Sequence, residues 1–233
     1  MIGHTHRDIT GGSFRAAVFG ASDGLVTNVS LILGVAGAHL SAGGVRLTGL
    51  AGLIAGAFSM AAGEYVSMKA QSELFEAELA VERHEIHVNP EGEHRELTEL
   101  YQKRGLSPEV AQVVADEMMK NESLALEVHA REELGIDPKN LGAPFKAALS
   151  SFVSFAVGAL IPLLPWFFIH SYLAVVISII LAFFATGAIG FLLSNVTGKS
   201  KIKSMVRQVI VTVLAAGVTY LVGYMVGASK SIT

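Results

Sequence analysis

The chain contains no cysteine, and only 16% of its 233 residues are charged. Without cysteine it has no disulfide, no thiolate metal site and no thiol nucleophile. Ordinary soluble proteins carry roughly 25% charged residues, whereas the mean hydropathy of this chain is +0.52. These values exclude a disordered chain, a fibrous chain and a single water-soluble globular core.

Charge is missing altogether from one long part of the sequence. Residues 147–198 contain no Asp, Glu, Lys or Arg, and this run is more than twice the ~20 residues that one membrane-spanning helix needs. Pro162 and Pro165 interrupt it. The run therefore predicts two spans, at about residues 146–164 and 171–195.

Three other apolar segments predict further spans, at about residues 16–38, 47–63 and 208–229. Five spans place the two termini on opposite sides of the membrane. Lysine and arginine are more frequent in cytoplasmic loops, and here they cluster before the first span and in the 198–207 loop. The N-terminus and this loop are therefore predicted to be cytoplasmic.

The remaining charge is concentrated between residues 70 and 140, which hold 17 acidic and 7 basic residues. Proline and glycine divide this segment into three predicted helices. The first continues the second span to Val88, the second covers residues 91–103, and the third covers residues 107–134 without a break. The segment is thus predicted to be a small helical domain on the cytoplasmic side.

Together these patterns predict an all-α polytopic membrane protein. Residues 1–70 carry the N-terminal segment and the first two spans, and residues 144–233 carry the last three. Residues 71–143 form the acidic helical domain inserted between them, which continues the helix of the second span. Membrane lipid is the expected surrounding, and nothing in the sequence indicates a nucleic-acid partner or a prosthetic group.

Carboxylates of the acidic segment recur three residues apart, so that pairs of them share one helix face. Carboxylate oxygen combined with methionine sulfur suits a borderline divalent metal such as Fe²⁺. The candidate ligands are Glu82, Glu85, Glu93, Glu96, Met118, Met119 and Glu122. A solvated acidic surface with core methionines is the alternative interpretation. The segment also holds histidines, which are interpreted chiefly as surface residues and alternatively as extra ligands: His84, His87, His94 and His129.

Two carboxylates fall inside predicted spans, Asp23 in the first and Glu64 in the second. Met60 precedes Glu64 by one helical turn and shares its face. Carboxylates at membrane depth are costly unless they are paired, hydrated or protonated, so they indicate function. Arg15 and Lys69 lie at the ends of the spans, and the sequence offers no lysine or arginine within them as a partner.

A carboxylate without a fixed positive neighbour binds a divalent cation or a proton. Competition between these two ions is the minimum chemistry for exchange transport. Asn28 and Ser59 are further polar groups of the same spans that can donate hydrogen bonds to the carboxylates. The candidate transport path therefore consists of Asp23, Asn28, Met60 and Glu64.

Two motifs of these spans closely resemble the vacuolar iron transporter family. They read GASDGLVT at 20–27, followed by SLILGVA at 30–36, and FSMAAGEYVS at 58–67. The five-span layout with an acidic insert resembles this family too, so the similarity covers nearly the whole chain. The resemblance implies a homodimeric Fe²⁺/H⁺ antiporter, with a path lined by the first two spans of both subunits.

The resemblance also implies roles for individual residues. Asp23, Met60 and Glu64 occupy the positions of the family's pore-lining residues, and the seven Glu and Met ligands named above occupy those of its metal-capturing cluster. Ser22 stands where many relatives have Asn, and Met68-Lys69 replaces a more neutral continuation of the span. These differences bear on the choice between Fe²⁺ and Mn²⁺.

The functional hypothesis is a secondary transporter that exports Fe²⁺, or Mn²⁺, from the cytoplasm in exchange for protons. Its membrane is the plasma membrane in a prokaryote and the vacuolar membrane in a eukaryote. An uncoupled uniporter or channel and a metal-responsive anchor or receptor are the alternatives. An intramembrane enzyme is disfavoured, because the sequence His84-Glu85-Ile86-His87 lacks the H-E-x-x-H spacing of zinc hydrolases.

Overall fold

The computed structural model describes residues 12–230, and within this range the chain is entirely helical, with no strand. The sequence prediction of an all-α protein is therefore confirmed. The helices are α1 (Gly12–Gly37), α2 (Ala42–Val88), α3 (Pro90–Lys103), α4 (Pro108–Met118), α5 (Glu122–Glu132), α6 (Pro144–Leu163), α7 (Pro165–Phe168), α8 (Tyr172–Thr197) and α9 (Lys201–Lys230).

Five of these helices, α1, α2, α6, α8 and α9, are long and apolar enough to cross a membrane. The chain is an integral membrane protein, as its sequence predicts. The start of the fifth such helix differs from the prediction. It begins at Lys201 rather than near residue 208, so Lys201, Lys203 and Arg207, which were expected in a loop, occupy its first two turns.

The third helix predicted for the acidic segment is two helices. α4 ends at Met118, and α5 begins at Glu122. The carbonyl of the Asn121 side chain accepts hydrogen bonds from the amides of Ser123 and Leu124, which is the geometry of a helix N-cap. Asn121 therefore starts a new helix where the prediction had a continuous one.

The chain divides into two compact units, and α2 contributes to both. We call the part up to Val66 and from Ala143 onward the membrane unit, and Ser67–Gly142 the acidic unit. The acidic unit starts four residues earlier than the boundary predicted after residue 70. Its helices α3, α4 and α5 all begin with a side-chain cap, from Asn89, Ser107 and Asn121 respectively.

Close helix contacts build the membrane unit around α1. A Cβ atom on Gly24 of α1 would collide with the backbone carbonyl of Phe155 in α6, and one on Gly223 of α9 would collide with the carbonyl of Gly34. Glycine at these positions allows the helix backbones to touch. Because α1 is held on both sides, the orientation of its polar residues is fixed by packing.

A small apolar cluster holds the acidic unit together. It combines Leu79 and Ile86 of α2 with Ala125, Leu126 and Ala130 of α5, and Met119 and Leu141 pack against it. In α2, Glu82 lies three residues after Leu79 and four before Ile86, so it shares their helix face. The cluster therefore brings the Glu82 face of α2 against α5.

Candidate metal centre

His129 lies at the centre of a group of carboxylates in the acidic unit. Its side chain is completely buried. Its Nδ1 atom lies 2.9 Å from Oε1 of Glu133, 3.2 Å from Oε1 of Glu82 and 3.6 Å from Oε2 of Glu93. One imidazole nitrogen thus faces carboxylates from α2, from α3 and from the residue that follows α5.

Three of these residues, Glu82, His129 and Glu133, can each place one ligand atom within 4.8 Å of the others. Two of their buried polar atoms, Oε1 of Glu82 and Nε2 of His129, have no hydrogen-bond partner among the described residues. Nδ1 has only one hydrogen to donate, and Glu133 lies closest to it. The 3.2 Å contact to Glu82 is therefore an ion-pair distance without a hydrogen bond.

Burial raises the pKa of the Glu82 carboxyl to about 7. Attraction to His129 lowers this pKa, and repulsion from Glu133, Glu93 and Glu96 raises it. Burial likewise raises the pKa of Glu133 to about 7, and Glu96 and Glu93 add to the rise. The pKa of Glu93 is raised too, chiefly by burial.

The cause of these shifts is an excess of negative charge in a partly dry place. Within residues 12–230, the ion pairs of Glu82, Glu93 and Glu133 are with His129 alone and not with a lysine or an arginine. A divalent cation would supply the missing positive charge. Carboxylate oxygen and imidazole nitrogen together suit borderline metals such as Fe²⁺ and Zn²⁺, so this donor set fits a transition metal.

The structure gathers some of the predicted ligands and not others. Glu82 and Glu93 surround His129, and Glu96 lies close enough to raise the pKa of the carboxyls there. Glu85 acts on Glu93 in the same way. Glu122 is exposed at the start of α5.

The two methionines occupy the break between α4 and α5. Met118 is the last residue of α4, and Met119 caps that helix. Met119 packs against the apolar cluster of the acidic unit, which is the role that the alternative interpretation gives it.

The prediction that His129 is a surface residue is wrong, and Glu133 is a member of the group that the sequence analysis missed. Both continue the buried row of α5, since His129 lies four residues after Ala125 and Glu133 lies three residues after Ala130. A histidine and a glutamate in an apolar row are the signal that could have revealed them.

Asp23 lies half-buried in α1, one turn before Thr27. The Thr27 hydroxyl donates a hydrogen bond of 3.3 Å to Oδ1 of Asp23. Within the part of the chain that the structure describes, Asp23 forms no ion pair with a basic residue.

Glu64 departs from that expectation. The Arg15 guanidinium donates a hydrogen bond of 3.4 Å to Oε1 of Glu64. The expected lack of a basic neighbour is therefore wrong for this residue. Arg15 stands at the start of α1, and the packing of α1 beside α2 brings it within reach, which sequence distance concealed. The hypothesis of metal–proton exchange was based on two unpaired carboxylates, and it now depends on Asp23.

The other two path candidates pack against α6. Asn28 is fully buried, and its Nδ2 atom donates a 2.6 Å hydrogen bond to the carbonyl of Ala159. Its Oδ1 atom is buried, has no hydrogen-bond partner in the described part of the chain, and faces Gly52 of α2. Met60 packs on the cluster of Ala57, Phe155 and Ala159. No hydrogen bond or ion pair among the described residues joins Asp23 to Glu64.

Comparison with known proteins decides the family. The sequence profile of the VIT family matches residues 14–224. The chain belongs to the VIT family. The match extends from α1 into α9, and so it includes the acidic unit as well as all five apolar helices.

Relatives within the VIT family agree with this assignment. A protein of Acanthamoeba castellanii named "Vacuolar iron transporter" is 43% identical over 164 residues, which are 70% of this chain and 59% of that protein. "Vacuolar iron transporter 1" of Arabidopsis thaliana is 30% identical, over 93% of this chain and 88% of its own length. The protein of that name in Oryza sativa subsp. japonica is 31% identical, over 93% and 87%.

Proposed function

We propose that this VIT family member is a transporter, and not an enzyme, that carries ferrous iron across a membrane. The observation that carries the proposal is the group of Glu82, His129 and Glu133, which offers oxygen and nitrogen ligands with excess negative charge. The names of the relatives, iron transporters over most of this chain, support iron as the cargo.

The acidic unit captures the metal in this proposal. Fe²⁺ supplies the positive charge that Glu82, Glu93 and Glu133 lack. The imidazole of His129 is a better ligand for Fe²⁺ than for the harder Mn²⁺. Glu85 and Glu96 hold negative charge nearby and raise the local concentration of cations. Mn²⁺ is the second candidate cargo, because carboxylates bind it well.

The membrane path uses Asp23, Asn28, Met60 and Glu64. Asp23 supplies an unpaired carboxylate, and Met60 offers a soft thioether that favours Fe²⁺ over Mg²⁺ and Ca²⁺. Oδ1 of Asn28 is a buried acceptor without a partner, and it can replace one water of the cation. Glu64 also lines the path, but the guanidinium of Arg15 already balances its charge.

Exchange with protons rests on Asp23 in this proposal. A carboxylate in a poorly hydrated path binds either the metal or a proton, so a proton gradient drives the metal in the opposite direction. The basic residues at the start of α9 orient that end towards the cytoplasm. Transport is therefore export from the cytoplasm, across the plasma membrane of a prokaryote or into the vacuole of a eukaryote.

A homodimer completes the path. One face of α2 remains exposed within the single chain, with Leu47, Ile54 and Phe58 all more than half exposed. These residues are spaced by seven and four, so they share a face. A second copy of α2 packed there would enclose the space between the paired first and second apolar helices. Cross-linking through cysteines placed at Ile54 tests this arrangement.

Flux through reconstituted vesicles tests the function. The purified chain in liposomes should accumulate Fe²⁺, under anaerobic conditions, only when a proton gradient opposes the metal. Asp23→Ala should abolish this uptake, while the surface variant Glu109→Gln should leave it unchanged. Retained uptake in Asp23→Ala would remove Asp23 from the path.

A uniporter is the second candidate, and the pairing of Glu64 with Arg15 favours it. This pair removes one of the two sites at which protons and metal would compete. Vesicle pH recorded together with metal flux separates the two mechanisms. Exchange requires that the vesicle interior become more alkaline as iron enters, whereas uniport leaves that pH unchanged once the membrane potential is clamped.

A further inference from the structure

The start of α9 carries positive charge that no acidic residue balances. Lys199, Lys201, Lys203 and Arg207 lie in or just before its first two turns, and residues 138–233 contain no Asp or Glu. Among residues 12–230, none of these four side chains forms an ion pair. This end of the membrane unit therefore has the charge to hold an anion.

An apolar groove of about 510 Å³ runs between α8 and α9 towards this end. Phe183, Phe184 and Phe191 line it on α8, and Met205, Val206 and Ile210 line it on α9. Phe191 lies eight positions after Phe183, which corresponds to roughly 12 Å of helix. The groove is therefore long enough for about half of a lipid acyl chain.

The groove ends at a lysine. The Lys201 ammonium lies 4.9 Å from the centre of the Phe191 ring, within the range of a cation–π contact. Lys201 precedes the lining residue Met205 by four positions, and Lys203 precedes Val206 by three. Both lysines therefore stand one turn above the α9 wall of the groove, and both are exposed.

We propose that this groove is a binding site for an anionic phospholipid of the surrounding membrane. One acyl chain lies along the three phenylalanines, the phosphate group pairs with Lys201, and Lys203 adds positive charge from the other edge of the α9 wall. Basic residues beside helix grooves at the cytoplasmic membrane surface bind lipid head groups in this way. The proposal is independent of the transported ion, and it assigns a lipid partner to a surface outside the candidate metal centre and the path.

Charge decides against a second copy of the chain as the occupant. Two copies that meet at this groove would bring Lys201 and Lys203 against the same residues, with no carboxylate from α8 or α9 to separate them. Zwitterionic lipid fits less well than anionic lipid, because its ammonium or choline group opposes the lysines. An anionic head group meets two positive charges without such repulsion.

Native mass spectrometry of the full chain tests the site. The chain is extracted in mild detergent and titrated with phosphatidylglycerol and phosphatidylcholine of identical acyl chains. We expect the unchanged protein to retain phosphatidylglycerol preferentially. The double variant Lys201→Ala/Lys203→Ala should lose about 25-fold in this preference, since each basic residue near an anionic surface contributes roughly fivefold. Lys146→Ala, which removes an exposed lysine of α6, is the matched control and should change nothing.

A second variant tests the groove without changing charge. Ala188→Phe fills the groove and should lower retention of phosphatidylglycerol, whereas added inorganic phosphate should not displace the lipid. Equal retention of the two lipids by the unchanged protein would overturn the proposal. It is also overturned when the double variant behaves like Lys146→Ala, or when Ala188→Phe leaves lipid retention intact.

Discussion

The Arg15 guanidinium lies 3.4 Å from Oε1 of Glu64 and so links the start of α1 to α2. The Glu64 side chain is 15% exposed and that of Arg15 is 74% exposed. Glu64 therefore keeps a positive partner on its solvent side, whereas the partner of Asp23 within residues 12–230 is the hydroxyl of Thr27. Two carboxylates that look equivalent in the sequence differ in their surroundings.

This difference predicts that proton coupling depends on Asp23 and not on Glu64. Asp23→Asn should remove the dependence of Fe²⁺ uptake on the proton gradient, because the amide cannot exchange a metal for a proton. Glu64→Gln should keep the dependence of uptake on the proton gradient, even if this variant takes up Fe²⁺ more slowly. Uptake into liposomes at several imposed gradients measures both. The reverse pattern would return exchange to Glu64.

The Arg15–Glu64 pair itself should contribute little to stability. Arg15 is largely exposed, and exposed ion pairs are worth about 1 kcal/mol or less. Arg15→Gln is therefore expected to lower the melting temperature of the detergent-solubilised chain by no more than about 4 °C. A larger loss would mean that the pair is shielded from water in the assembled protein.

Metal binding should depend on His129 and Glu133 more than on the two methionines. His129→Asn and Glu133→Gln should each weaken Fe²⁺ binding to the full chain by at least about tenfold, because each removes a ligand or its charge. Met119→Leu should leave the affinity nearly unchanged. Anaerobic calorimetric titration measures the affinities, with Glu109→Gln on the exposed start of α4 as control.

If Met119→Leu reduced the affinity for Fe²⁺ more than His129→Asn does, the result would favour the Glu and Met ligands that the family resemblance implies. Circular dichroism of each variant separates lost affinity from lost folding. This check matters most for His129, whose side chain is completely buried.

The metal-free chain should be more stable at pH 6 than at pH 8. Burial raises the pKa of Glu82 and of Glu133 to about 7 in the folded chain, from 4.5. The folded state thus binds these protons more tightly than the unfolded state. Their stabilising contribution is complete below pH 4.5 and is lost as the pH rises through 7.

Thermal unfolding with a chelator at these two pH values measures the effect. Glu133→Gln should reduce the difference in melting temperature between pH 6 and pH 8. Glu109→Gln should not, because the pKa of Glu109 is lowered by hydrogen bonds to its own backbone and to Ser107, so this carboxyl is ionised throughout the interval. An unchanged pH dependence in Glu133→Gln would contradict the assignment.

Packing of α9 on α1 should depend on Gly223. Gly223→Ala puts a methyl group against the backbone carbonyl of Gly34, which cannot move as a flexible side chain would. We expect a loss of about 1–3 kcal/mol. Gly217→Ala is the matched control on the same helix, since nothing lies within 4 Å of its Cβ position. Melting temperatures in detergent compare the two variants.

The helices of this protein could be predicted from local sequence. Apolar runs without charge mark five spans because the bilayer requires each span to be continuous and uncharged. Pro108 and Gly105 mark a helix start and stop correctly. Asn121 escaped prediction because its capping role competes with a favourable helical pattern on both sides.

The candidate metal site could be predicted only in part. Glu82 and Glu93 were predicted from the helical spacing of the glutamates and from the family resemblance. His129 and Glu133 lie more than thirty residues further along the chain. Their place in the apolar row of α5 indicates a buried face but does not show that this face packs on α2. That orientation results from Leu79 and Ile86 packing on Ala125, Leu126 and Ala130.

Sequence alone determined that this is an all-α membrane protein with five apolar helices, an acidic insert and the VIT family motifs. These properties depend on composition and on short-range periodicity, which can be recognised in the sequence without knowledge of the fold. Only the tertiary structure decided which carboxylates share a histidine and which one has an arginine. Electrostatic partners depend on distances of a few ångströms between helices, and packing sets these distances.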